Sequence, residues 1–108
     1  MCGLNGITFS NKKLMSEMQK FTKNRGPDAS GVYCDEDITL AHDRLSIQDL
    51  SEEANQPMIF ENLVISYKGE IYNYSELKDE LQRLGYKFKT KSDTEVIIYL
   101  FHKYSIEA

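Results

Sequence analysis

Residues 63 to 85 constrain the fold most tightly, because the hydrophobic period switches within one short span. Leu63-Val64-Ile65-Ser66-Tyr67 is a β-branched and aromatic run that reads as a buried strand, and Lys68-Gly69-Glu70 ends it. Asn73, with Glu76 three residues on, gives a helix-start signal; Leu77, Leu81 and Leu84 form one stripe, and Gly85 supplies the stop. Strand and helix must each bury an apolar face against something else. The remainder of the chain provides partners in alternating pieces. Leu4 to Phe9 reads as a strand, and Leu14, Met18 and Phe21 fall on one helical face. Gly31 to Cys34 and Ile38 to Ile47 read as strands of an antiparallel hairpin joined at Asp35-Glu36-Asp37. Tyr86 to Thr90 reads as a short strand. Ser92-Asp93-Thr94-Glu95 then repeats the capping-box spacing before Val96, Ile97, Leu100 and Phe101, in a helix ending near Tyr104. The order β, α, ββ, β, α, short β, α predicts an α+β fold, mostly antiparallel sheet with flanking helices.

Composition narrows the partners. A chain of 108 residues, 41% hydrophobic with seven Tyr and five Phe, suits one globular domain with a modest core. A net charge of -4 offers no basic stripe, so nucleic acid is not expected as a partner. No apolar run approaches the roughly 20 residues that span a bilayer, and the start lacks signal-peptide features. No membrane partner and a cytoplasmic location are therefore expected. The two cysteines, Cys2 and Cys34, have no CxxC and no His at metal spacing, which argues against a disulfide framework and a metal site. Cys34, beside Val32 and Tyr33, reads as a partly buried thiol.

Chemistry concentrates at the start. In Met1-Cys2-Gly3, removal of Met1 gives Cys2 a free amine. A thiol needs a base to become a thiolate at neutral pH, and an α-amine of pKa about 7.7 to 8.0 can serve. Nucleophile and base then share one residue. The small Cys2 side chain also permits an aminopeptidase to take Met1. Read without its surroundings, the same Cys2 is an incidental cysteine near a terminus.

Several blocks in fixed order settle between those readings. Met1-Cys2-Gly3 with Gly6-Ile7, Arg25-Gly26-Pro27-Asp28 with Gly31, Leu40-Ala41-His42, Arg44-Leu45-Ser46-Ile47, Asp49-Leu50-Ser51, Gln56-Pro57-Met58, Gly69-Glu70-Ile71-Tyr72-Asn73 and Ser92-Asp93-Thr94-Glu95-Val96 span nearly the whole chain. Together they resemble the glutaminase domain of the asparagine synthetase family, a class II glutamine amidotransferase. The resemblance implies an αββα N-terminal-nucleophile sandwich, of which residues 1–108 are the N-terminal portion. It places the rest of that domain, and a synthetase domain using ATP and Mg, outside these residues, and implies no cofactor in this chain. An incomplete sandwich would leave sheet edge and apolar face open, so self-association is expected.

The resemblance also implies a substrate, glutamine, and roles residue by residue. Cys2 attacks the side-chain amide and forms a thioester. Arg44 matches the position that holds the glutamine carboxylate, where a guanidinium fork can donate two parallel hydrogen bonds. Asp93 matches the position that receives the substrate ammonium, with Glu70 contributing. Ile47 and the Gly69 backbone line the pocket, and Arg25 and Asp28 order a loop over it. The structural alternatives are a surface charge on an edge strand for Arg44, helix capping for Asp93 and a solvated carboxylate for Glu70. His42 and His102 receive no role, since a nucleophile with its own amine needs no further base.

One departure bears on activity. The family carries asparagine immediately before Gly-Glu-Ile-Tyr-Asn, where its amide and the glycine N–H form an oxyanion hole; here the residue is Lys68. Loss of one such donor costs about 100-fold to 1,000-fold in turnover. An ammonium can also donate to a developing oxyanion, but on a longer stem. Two further readings therefore stand beside the glutaminase: a non-catalytic remnant or interaction module of the same fold, and an amidotransferase acting on another acceptor acid.

Overall fold

The computed structural model describes residues 2–45 and 54–107. Among the described residues five strands and three α-helices follow the order β1 (Gly3–Ile7), α1 (Lys12–Thr22), β2 (Ala29–Cys34), β3 (Thr39–Arg44), β4 (Met58–Phe60), β5 (Leu63–Ile65), α2 (Tyr74–Arg83) and α3 (Asp93–Tyr104), with a short 3-10 turn at Ser105–Glu107. All pairing is antiparallel. One sheet has the order β1-β3-β2 and the other pairs β4 with β5. The α+β class expected from the sequence is what forms.

The β2–β3 hairpin turns where the acidic break is, because the Asp35 carboxylate accepts the N–H groups of Asp37 and Ile38 at 2.8 and 3.0 Å. Residues of β3 through Arg44 are paired; the expected continuation to Ile47 runs into positions outside the described residues. The strand expected over residues 63–67 is shorter and gains a partner the periodicity does not reveal, β4, across a turn in which Glu61 takes φ +52°. Three residues are too few to carry a recognisable alternation. Tyr86 to Thr90 is not a paired strand: the Lys89 and Thr90 N–H groups are taken by the Glu95 carboxylate, each at 2.8 Å.

α1 is correctly placed but turned. Its buried side chain is Met15, while Phe21 is 86% exposed and Leu14 is also exposed. Polar contacts decide the rotation: Gln19 and Thr22 both reach Asp43, a wholly buried carboxylate on β3, at 3.3 and 2.6 Å, and Asn5 on β1 donates to Thr22 at 2.9 Å. Orienting a helix toward a buried charge with three neutral donors, Ser30 being the third, outweighs burying one more aromatic ring.

Capping signals divide similarly. Ser92 caps α3 by accepting the Thr94 N–H at 3.2 Å, and Asn11 caps α1 by accepting from Leu14 at 2.9 Å. Asn73 occupies the N-cap position of α2 with no side-chain cap bond, contrary to expectation. Glu95 does not close the capping box; it is occupied by Lys89, Thr90 and the Tyr99 hydroxyl.

The core gathers Leu81 of α2 with Val96, Ile98 and Tyr99 of α3, and β4 and β5 pack against it. Of the apolar residues expected on α3, Val96 is buried, whereas Phe101 is 43% exposed. α1 covers one face of the three-stranded sheet. The opposite face, which carries Gly31 and His42, meets Gln56 and Tyr67, the residues that flank the β4–β5 segment.

Candidate active site

Where the end of β3, the loop after β5 and the start of α3 converge, the chain forms a half-open cavity of about 440 Å³. Cys2, Arg44, Lys68, Gly69, Glu70 and Asp93 all line it. Ile47, the remaining residue singled out from the sequence, lies outside the described residues.

Strand register brings the thiol in. Gly3 pairs with Asp43, so the residue before Gly3 lies beside the residues after Asp43. Cys2 Sγ accepts the Leu45 N–H at 3.3 Å and lies 3.7 Å from the Leu45 carbonyl, to which the thiol can donate. The first contact is one that a thiolate can also use.

Arg44 ends the central strand of its sheet and is 7% exposed, with Nη1 donating to Asn55 Oδ1 at 2.6 Å. That excludes the reading of a surface charge on an edge strand. Asp93 is 3% exposed and opens α3; its Oδ2 accepts the Ile71 N–H at 2.7 Å. Ser92 caps the helix, so Asp93 is not needed for that task. Buried side chains of this kind require partners or a ligand to balance their charge.

Glu70 is exposed but lines the same cavity. Its field is felt together with that of Asp93 at the Tyr67 phenol, whose pKa burial raises first and the two carboxylates raise further. Glu70 of the loop and Asp93 of α3 thus bring two carboxylates to the same part of the cavity. Gly69 lies between, at φ +156°, and a Cβ there would sit 2.6 Å from the Tyr67 hydroxyl, so only glycine fits. Lys68 is exposed at the cavity lining.

His42 is 1% exposed, with Nε2 3.1 Å from the Tyr67 carbonyl oxygen. A carbonyl only accepts, so Nε2 carries the hydrogen and Nδ1 the lone pair. Burial lowers the imidazole pKa and keeps it neutral. Its Nδ1 has no hydrogen-bond partner among the described residues. Arg25 of the preceding loop is exposed, while the Asp28 N–H donates to the Arg44 carbonyl at 2.9 Å and ties that loop to the end of β3.

Sequence reasoning assigned no role to Asn55, Gln56, Tyr67 or Thr94. Asn55 holds the arginine; Gln56, Tyr67 and Thr94 join the loop to the helix. Gln56 stood in a recognisable block, but a lone polar residue before proline has no periodicity from which burial can be read.

A second groove, about 760 Å³, lies between β4 and residues 84–90 and carries Lys87, Lys89 and Lys103. None of the described candidate catalytic or substrate-binding residues lines it. Among the described residues no group of three or more His, Cys, Asp or Glu converges to hold a metal, and no helix is long and apolar enough to cross a membrane.

Chemically, the first cavity joins a thiol, a guanidinium suited to a carboxylate and two carboxylates suited to an ammonium. A free α-amino acid carries both of those complementary charges. Comparison with known proteins bears on the same point. The chain is 39% identical to asparagine synthetase [glutamine-hydrolyzing] 1 of Bacillus subtilis (strain 168), in an alignment covering 100% of this chain and 18% of that protein. It is 38% identical to asparagine synthetase [glutamine-hydrolyzing] 2 of Oryza sativa subsp. japonica, over 97% of this chain and 18% of the relative, and 37% identical to asparagine synthetase [glutamine-hydrolyzing] of Zea mays, over 99% and 19%. The chain thus spans about a fifth of the length of these curated relatives. The glutamine amidotransferase domain family matches residues 1–108, every residue of the sequence, and the chain belongs to that family.

Proposed function

We propose that this chain is the N-terminal portion of a glutaminase domain that hydrolyses glutamine to glutamate and ammonia through Cys2. The observation that carries the reading is the sharing of one cavity by Cys2, Arg44, Glu70 and Asp93. Arg44 binds the α-carboxylate, Asp93 and Glu70 bind the α-ammonium, and the side-chain amide is left at the sulfur.

Once Met1 is removed, the Cys2 amine takes the thiol proton. The thiolate adds to the amide carbonyl carbon, and the charge that develops on oxygen meets the Gly69 N–H and the Lys68 ammonium. As the C–N bond breaks, the proton passes from the amine to nitrogen and ammonia leaves. Water, deprotonated by the same amine, then opens the thioester, releases glutamate and restores the thiol. His42, neutral and hydrogen-bonded to Tyr67, takes no part in these transfers. In a longer protein, ammonia would be transferred to aspartate activated by ATP with Mg in a separate synthetase domain; the names of the relatives, asparagine synthetase [glutamine-hydrolyzing], support the pairing of glutamine hydrolysis with asparagine synthesis. The isolated chain is expected to be a weak enzyme, because Lys68 stands where an amide donor would, and to self-associate through exposed apolar surface.

The test is mass spectrometry of the purified chain for loss of Met1, followed by incubation with a diazoketone analogue of glutamine. An adduct on Cys2, absent from Cys2→Ala and reduced in Arg44→Ala, is the expected result. A chain that retains Met1, or an unmodified Cys2 after its removal, overturns the mechanism and leaves the non-catalytic remnant.

A further inference from the structure

Two walls of the cavity come from segments with no covalent reason to keep their spacing: the loop 67–70, carrying Lys68, Gly69 and Glu70, and the start of α3, carrying Asp93. One side chain bridges them. The Gln56 Oε1 accepts the Tyr67 N–H, and its Nε2 donates to Thr94 Oγ1 at 2.8 Å. The amide orientation follows from chemistry, since a peptide N–H can only donate and must face the oxygen.

The bridge is anchored at both ends and at its base. Beyond Tyr67 N, the Tyr67 carbonyl is held by His42, so the backbone immediately before Lys68 is fixed on two sides by buried groups. Beyond Thr94, its neighbour Asp93 accepts from Ile71 and closes a second link between loop and helix. At the base, the Gln56 carbonyl packs on β2 where a Cβ on Gly31 would lie 2.2 Å away, so any side chain there would push Gln56 outward. Gln56 is 9% exposed.

We propose that Gln56 is a positioning residue that sets the separation of the two cavity walls, holding the oxyanion-side loop and the Asp93 end of α3 at the spacing of one amino-acid substrate. Its consequence for catalysis rests on the glutaminase reading; the spacing itself does not. A side chain that merely satisfied its own hydrogen bonds would not transmit a change from one wall to the other.

The experiment measures amide hydrogen exchange in the 108-residue chain and in its Thr94→Val, Thr94→Ser and Gln56→Leu variants. Thr94→Val removes only the α3 end of the bridge and is nearly isosteric. It is expected to speed exchange at the Tyr67 amide, which is bonded to Gln56 and not to Thr94, by about 3-fold to 10-fold, the scale of one weakened hydrogen bond. Amides of the β1–β3 ladder should keep their rates, and Thr94→Ser should restore protection. An unchanged Tyr67 rate in Thr94→Val overturns the proposal, as does a uniform acceleration across the ladder. If Gln56→Leu does not fold, Thr94→Val decides alone.

Labelling of Cys2 then separates this claim from the functional one. Thr94→Val should slow modification by the glutamine diazoketone about 3-fold to 10-fold while leaving simple alkylation by iodoacetamide unchanged. Coupled exchange in a chain that the analogue never labels keeps the spacing role and removes the glutaminase. Normal labelling without coupled exchange does the reverse.

Discussion

At the residue scale the consequential position is Lys68. An asparagine amide is short and presents its donor from a fixed plane, whereas an ammonium on four methylenes must give up rotamer freedom to reach the same point. Lys68→Asn is therefore expected to raise glutamate release from the chain by about 100-fold, the lower end of what one oxyanion donor contributes. Steady-state glutamate assays check this, and equal rates would show that the lysine already serves. His42 gives a second expectation. Burial holds its imidazole below the ordinary 6.5, so the unfolded chain binds a proton that the native chain refuses. Its contribution to stability is complete above pH 6.5 and declines as pH falls toward the lowered native value, then levels off, with a ceiling of about 1.4 kcal/mol per pH unit. His42→Gln retains a donor for the Tyr67 carbonyl and should flatten that part of the slope. Urea midpoints at pH 7.5 and 5.5 measure it, and parallel slopes in both proteins would refute it. Which residue types stand where was readable from the chain for Cys2, Arg44, Glu70 and Asp93. That Arg44 is buried on a central strand, with Asn55 as its partner, was not, because strand order follows from contacts between segments far apart in sequence.

Among the elements, local signals succeeded where the hydrogen bonds involved were local. The Asp35 turn and the Ser92 cap use groups within three residues of each other, and both form. Asn73 has the same signature as Ser92 without the bond, so the two positions should separate under mutation. Ser92→Ala is expected to cost about 1 kcal/mol, and Asn73→Ala to stay within about 0.5 kcal/mol. Chemical denaturation of each variant checks the contrast; equal losses would mean that Asn73 caps α2 in solution. The Leu77–Leu81–Leu84 stripe marks α2 correctly and points to Leu81, which is wholly buried, yet Leu84 is 48% exposed. A stripe fixes the face of a helix but not how far along it the partner extends. In α1 even the face changed, because the hydrogen bonds of Gln19 and Thr22 to Asp43 come from β3, beyond the reach of any window along the helix.

Over the whole molecule, apolar groups remain at the surface in quantity. Phe21 is 86% exposed, Tyr72 97% and Ile59 61%, and β4 and β5 form a sheet with no third strand among the described residues. Such surface favours association. Sedimentation at micromolar concentration is expected to show species larger than the 12.5 kDa monomer, and Ile59→Lys on β4 should shift them toward it. A monomer that also fails to bind an apolar dye would refute this.

The sequence by itself determined the three helices, the antiparallel β2–β3 hairpin, the family and the chemical inventory, because period, turn chemistry and residue type act over a few positions. Tertiary structure alone decided which face of α1 is buried, that β4 exists as a partner of β5, and that Gln56 joins Tyr67 to Thr94. The α1 face and the Gln56 bridge depend on groups brought together from distant parts of the chain, where a hydrogen bond or buried charge outweighs the local preference, and β4 is too short for its period to show.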